Sequence, residues 1–173
     1  MNERTKGILH ILLAIIIIAL VFAFSNQLEQ FKEYGYFGVF IVSAVSAATI
    51  FIPAPGWAIV FAMAKFLDPI GLGIAAGVGS AIGEITGYVA GQGASQVIHA
   101  NKHFKKFKDW IKKNDLVAIF VLAAIPNPIF DVAGIAAGSL NIKWWRFLIA
   151  TALGRTLRYA ALAYFGAFSL QLI

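Results

Sequence analysis

The sequence predicts an all-helical integral membrane protein. It consists of two inverted repeats, each a re-entrant broken helical hairpin plus one transmembrane helix, with an N-terminal signal-anchor helix and a basic amphipathic surface helix. Three observations point there. Of the 173 residues, 60% are hydrophobic and 13% charged, and several apolar runs reach the roughly 18 residues that mark a span. Two of those runs are broken by prolines. The two halves also share motifs: Ile52-Pro53-Ala54-Pro55 matches Ile125-Pro126-Asn127-Pro128, and Gly83-Glu84-Ile85-Thr86-Gly87-Tyr88 matches Gly154-Arg155-Thr156-Leu157-Arg158-Tyr159.

Taken in order, residues 7–24 (GILHILLAIIIIALVFAF) follow Arg4 and Lys6. The run is longer than a signal-peptide core and no small-x-small site closes it, which reads as an uncleaved signal anchor. The first repeat occupies 36–91: an apolar stretch over 36–67 interrupted at Pro53, Pro55 and Gly56, then an unbroken span over 70–91. In residues 95–113, Val97, Ala100, Phe104, Phe107 and Ile111 recur at spacings of three and four with lysines mostly elsewhere on the wheel. That is a helix lying in the membrane surface. The second repeat occupies 116–168, broken at Pro126, Asn127 and Pro128 and ending in a span led in by Lys143-Trp144-Trp145-Arg146. One membrane domain fills residues 1–173.

Charge sets the topology. If both broken stretches cross the membrane, lysine and arginine outside the spans divide five against seven; if both are re-entrant they divide ten against two. The positive-inside rule favours the second, with a cytoplasmic N-terminus. A unit with a single full crossing, followed by a surface loop, must be repeated upside down, the design by which transporters place a site at the midplane. Asn127 is a favourable N-cap and Pro128 suits a first helical position, so a helix over about 128–140 starts inside the membrane, with Pro55 in the same part opposite. Broken backbone at that depth needs protein or a wet cavity around it. Two such helix starts facing a central space form an arrangement suited to anions.

Glu84, Asp131, Arg155 and Arg158 sit deep in apolar segments. Unpaired, the four would cost on the order of 10 kcal/mol. The repeat sets Glu84 and Arg155 at equivalent positions of opposite-running spans, where they can pair, leaving Asp131 to meet Arg158. Structural clasping is the plain alternative, but buried ion pairs do little for stability alone, and intramembrane charge points to a pathway. Tyr88 and Tyr159, one turn further on, can hydrogen-bond this cluster or anchor at the interface. Gly79, Gly83, Gly87 and Gly91 form a stripe that allows close helix approach and permits a homo-oligomer.

His99 and His103 are four apart, but no glutamate follows His99, and no metal or cofactor is expected. His10 is read as packing in the first span. No nucleotide loop or nucleophile elbow occurs, so no enzyme activity is expected. The net charge of +6 lies beside apolar segments and suits anionic lipid rather than nucleic acid. No cysteine is present.

With these residues in view, the sequence resembles the DedA family of bacterial and archaeal membrane proteins, also called VTT-domain or SNARE-associated Golgi proteins, over about 36–168. Residues 125–147 (IPNPIFDVAGIAAGSLNIKWWRF), followed by 154–166 (GRTLRYAALAYFG), look most like its short YqaA-like branch. The stretch GEITGYVAG is similar to the family's Gly-Asp/Glu-x-x-x-Tyr-x-x-Gly pattern, which implies an acidic role for Glu84 and places the tyrosine at Tyr88. The resemblance implies two facing re-entrant hairpins and movement of lipids between leaflets, including phospholipids and polyprenyl phosphates. The chain departs from better-known members at Trp57, where they carry an acidic residue, and around Pro126, where they carry arginines.

The resulting expectation is a flippase- or scramblase-type transporter of an anionic lipid headgroup in the plasma membrane. Arg155 and Arg158 would bind phosphate, and Glu84 and Asp131 would orient them or take a proton. Alternatives are a proton- or ion-coupled transporter of a small solute and a non-transporting membrane scaffold.

Overall fold

The computed structural model describes residues 34–48, 56–93, 113–126 and 130–170, the side chains of 130–133 and 170 excepted. The expected signal anchor, the surface helix up to residue 112, and Pro53, Pro55, Asn127 and Pro128 lie outside the described residues. Within them are seven helices and no strand: α1 Gly35–Ala48, α2 Gly56–Met63, α3 Pro69–Gly83, α4 Ile85–Gly93, α5 Asp115–Ala124, α6 Phe130–Ser139 and α7 Trp144–Leu170.

Local chemistry sets several boundaries. Asp68 caps α3 by accepting the Gly71 N–H at 2.8 Å, and Pro69 occupies the first turn, where its missing N–H costs nothing. The Tyr36 hydroxyl accepts the Asp68 N–H at 3.2 Å, pinning the start of α1 to that of α3. At the other end of α1, the Thr86 hydroxyl donates to the Ala48 carbonyl at 3.2 Å, an acceptor the helix itself leaves unpaired. After α6 the chain turns through Asn141 at φ 53°, with the Ile142 N–H reaching back to the Ala137 carbonyl at 3.1 Å. Asparagine tolerates that left-handed conformation better than most residues.

Length separates two kinds of helix. At 1.5 Å per residue, α2, with 8 residues, and α5 and α6, with 10 each, reach only about 12–15 Å, against a hydrocarbon core of about 30 Å. Pro69–Gly93 runs 25 residues and is the described helix long and apolar enough to cross. The sequence predicts an unbroken span, but the helix is not perfectly regular: at Glu84 the backbone tightens to φ −64°, ψ −13°. The N–H of Glu84 still reaches Ser80 and that of Tyr88 still reaches Glu84, at 3.0 and 3.1 Å, so α3 and α4 stay in line. The 27 residues of α7 match this length but carry Arg146, Arg155 and Arg158.

The packing is reciprocal. The long helices α3 and α7 lie against each other; α1 packs on α3 and α5 on α7, whereas α2 packs on α7 and α6 on α4. Each half thus lays its first arm on its own long helix and its second arm on that of the other half. Glycines make the contacts. A Cβ at Gly83 would strike the Ala44 carbonyl, Ala47 Cβ and Ala48 N; one at Gly154 would strike the Phe120 carbonyl, Ala123 Cβ and Ala124 N. The two glycines aligned by the sequence repeat therefore meet the same set of atoms, at i, i+3 and i+4 of the arm beside them.

The glycine stripe is used inside the chain, by two different partners. Gly79 and Gly83 approach α1, and Gly91 approaches the Ile135 carbonyl of α6. A homo-oligomer would have to use another face. Such faces exist: Phe37, Ile41 and Val45 of α1, Ile74, Val78 and Ile82 of α3, and Leu153, Leu157 and Phe168 of α7 are exposed, while Ser43, Ser80, Glu84, Ser139, Thr151 and Arg155 are buried. Polar groups inside and large apolar groups outside make a surface matched to lipid.

Replacing Gly83 or Gly154 by alanine is expected to destabilise the fold by about 1–3 kcal/mol, because backbone rather than a flexible side chain must give way. Gly93→Ala, with nothing within 4 Å of its Cβ position, is expected to cost nothing. Thermal unfolding in detergent, followed by helical circular dichroism, checks both.

Candidate functional site

Where α3 gives way to α4, the Glu84 carboxylate faces α7 and forms an ion pair with Arg155, Oε1 accepting from Nη2. Glu84 is 5% and Arg155 7% exposed. This is the pairing expected from the repeat, between residues 71 apart in sequence. The second carboxylate oxygen turns to α6. A Cβ at Gly134 would lie 3.4 Å from Glu84 Oε2 and 3.7 Å from the Phe147 ring. Glycine at 134 thus lets α6 close over the pair.

Burial extends the match between the halves beyond the charges. Ser80, Glu84 and Tyr88 lie four residues apart on one face of α3–α4; Thr151, Arg155 and Tyr159 do the same on α7, and all six are buried. Each long helix therefore presents a hydroxyl, a charge and a tyrosine in that order, one turn apart. The hydroxyls were not singled out in the sequence, where a serine or threonine among alanines and glycines gives no signal of its own. They differ in one respect. Ser80 donates to the Gly77 carbonyl of its own helix at 3.1 Å, whereas the Thr151 hydroxyl has no hydrogen-bond partner in the protein.

Tyr88 does not join the charges through its hydroxyl. That group donates to the Ile142 carbonyl, accepts from Gln92 at 3.3 Å, and its ring stacks on Phe147 at 5.3 Å between centroids. It fastens α4 to the turn between α6 and α7, whose left-handed step at Asn141 presents that carbonyl. Tyr159 is buried against α2 and α3 among Val60, Leu72 and Ala76, so neither tyrosine is an interface anchor.

Arg158 is half-buried one turn along α7, its guanidinium carbon 6.0 Å from the Tyr159 ring centroid. Asp131 lies in the first turn of α6; its side chain, and so its pairing with Arg158, lies outside the described residues. Gly56 is buried at the start of α2, where a Cβ would sit 3.3 Å from Ser46 of α1, so α2 folds back on α1. Pro126 is exposed just past α5.

A second ion pair, missed in the sequence because neither member falls in the matched motifs, links Arg146 to Asp115 at 2.8 Å and ties the starts of α5 and α7. The neighbouring Trp144 and Trp145 are exposed, as an interfacial belt requires. Among the described residues no group of three or more histidines, aspartates or glutamates converges as a metal site would need.

A family model described as the VTT domain matches residues 52–168. Vacuole membrane protein KMS1 of Arabidopsis thaliana is 36% identical over 59 residues, which is 32% of this chain and 14% of the relative. Vacuole membrane protein 1 of Homo sapiens is 38% identical over 47 residues, 27% of this chain and 12% of the relative. The matched stretches thus span about a seventh or less of those proteins. No solved structure matches.

Removing one member of a buried pair strands the other charge, at a cost of about 3–5 kcal/mol, whereas removing both leaves no such charge. Glu84→Leu and Arg155→Leu are each expected to lower the unfolding temperature more than the double variant does. A double-mutant cycle on thermal stability in one detergent checks this.

Proposed function

The chain belongs to the VTT-domain family, and from that premise we propose that it is a membrane-embedded translocator for an anionic lipid headgroup, of flippase or scramblase type. The observation that supports this reading best is the Glu84–Arg155 pair, buried where the long helices of both halves meet the arm α6. An arginine held by a carboxylate in a dry site can pass to a phosphate oxygen when that carboxylate takes a proton, because one oxyanion then replaces another beside the guanidinium.

The structure then corresponds to a closed state. Opening requires α6 to withdraw from Glu84, freeing Arg155 toward the gap between the arms. Arg158, one turn on, supplies a second cation, and Glu84 takes a proton or keeps a partial contact with Arg155 while the headgroup is bound. In this reading α1–α2 and α5–α6 are re-entrant hairpins in inverted repeats, which their short arms and reciprocal packing support. The partners are membrane lipids, a phospholipid or a polyprenyl phosphate, in a bacterial or archaeal plasma membrane with the N-terminus cytoplasmic. Lysines at 102–113 would concentrate anionic lipid at that leaflet.

A second reading, a non-transporting scaffold, is favoured by the dryness of the same pair: a clasp between two halves needs no route to water or lipid. Leaflet exchange of fluorescent phospholipid and of a polyprenyl phosphate in proteoliposomes separates them. Translocation predicts exchange above protein-free vesicles, reduced about tenfold or more in Arg155→Ala and Glu84→Gln at matched folding, a loss of at least 1.4 kcal/mol. No exchange by folded wild type favours the clasp.

A further inference from the structure

The hydroxyl of Thr151 is fully buried and has no hydrogen-bond partner in the protein, a condition that costs stability and is uncommon in native interiors. Its position explains why it could be kept. Thr151 lies one turn after Phe147 and one turn before Arg155 on the same face of α7. Phe147 and Glu84 both border Gly134 of α6, so the face carrying 147, 151 and 155 looks onto the junction of the ion pair with the second hairpin. The equivalent residue of the first half, Ser80, closes its hydroxyl onto its own helix. The asymmetry leaves one hydroxyl available, and it lies on the helix that carries the arginines.

We propose that Thr151 is a subsite residue for a tetrahedral oxyanion: its hydroxyl donates to one oxygen of a phosphate while the Arg155 guanidinium, released from Glu84, holds another. This deepens the translocation reading and rests on it for the identity of the ligand. The hydroxyl contributes only when the anion is present, so its removal should weaken binding and relieve the empty state.

The test is isothermal titration of the full chain in detergent with dihexanoyl phosphatidate and, separately, with inorganic phosphate, on wild type, Thr151→Val and Thr151→Ser, each with its unfolding temperature. We expect saturable binding by wild type, about tenfold weaker binding by Thr151→Val, whose methyl keeps the shape, with an unfolding temperature equal to or above wild type, and binding close to wild type by Thr151→Ser. Tighter phosphatidate than phosphate assigns a lipid headgroup; equal affinities assign a free oxyanion, and either supports the subsite. Wild-type affinity in Thr151→Val, a lowered unfolding temperature in that variant, or no saturable binding by wild type overturns it. Binding that depends on Thr151 in a protein that exchanges no lipid removes translocation and keeps the subsite; intact exchange by Thr151→Val removes the subsite and keeps translocation.

Discussion

A carboxylate and a guanidinium that neither lipid nor a dry interior would accept alone set the terms for the rest of this molecule. Glu84 and Arg155 are more than 90% buried, and close mutual contact helps to offset the penalty for taking them out of water. That contact requires the long helices α3–α4 and α7 to approach within side-chain reach at one depth. Glycine supplies the approach: Gly73 and Gly77 press α3 onto Ala160 and Thr156 of α7, bringing the two long helices together beside the charges. The same residue class then brings α6 over the pair at Gly134. In lipid, where apolar side chains gain nothing by leaving the solvent, such backbone-to-backbone packing and polar contact are what hold helices together.

The reciprocal packing of the arms follows from the same need. A helix of 8 or 10 residues has most of its backbone near an end, where N–H and C=O groups lack partners within the helix and need protein or water around them. Laying α2 on α7 and α6 on α4 surrounds each with the other half and couples the halves, so that movement of either second arm is felt at the long helix of its neighbour. This links architecture to the proposed activity: α6, which covers Glu84, belongs to the half that supplies Arg155.

Much of this was legible in the sequence. The aligned pairs Gly83-Glu84 and Gly154-Arg155 pointed to the ion pair, because the matched motifs set an acid and a base in corresponding turns of the two long helices, and the structure gives the two glycines matching neighbours. The family was legible from the motifs around them; the resemblance to its YqaA-like branch rests on those quoted motifs. Less was legible where a role is set across the chain. Gly134 matters only because Glu84 lies opposite. The tyrosine at 88 was tied to the charges by spacing, but its hydroxyl points the other way, to a carbonyl exposed by a left-handed turn that no local pattern announces. The glycine stripe looked like a seam for one neighbour. It serves two because α1, about 21 Å long at 14 residues, ends at Ala48, short of Gly91.

Glu84 and Arg155 thus form a mutually dependent pair at matching positions of the two long helices. The most direct test is reversal of both charges, Glu84→Arg with Arg155→Glu, compared with each single reversal by thermal unfolding and yield of folded protein in detergent. Either single reversal buries like charges against each other and is expected to prevent folding or to lower the unfolding temperature severely, and the double reversal is expected to recover most of the loss. A double reversal no more stable than the singles would contradict this mutual dependence, because the two sites would then not be exchangeable.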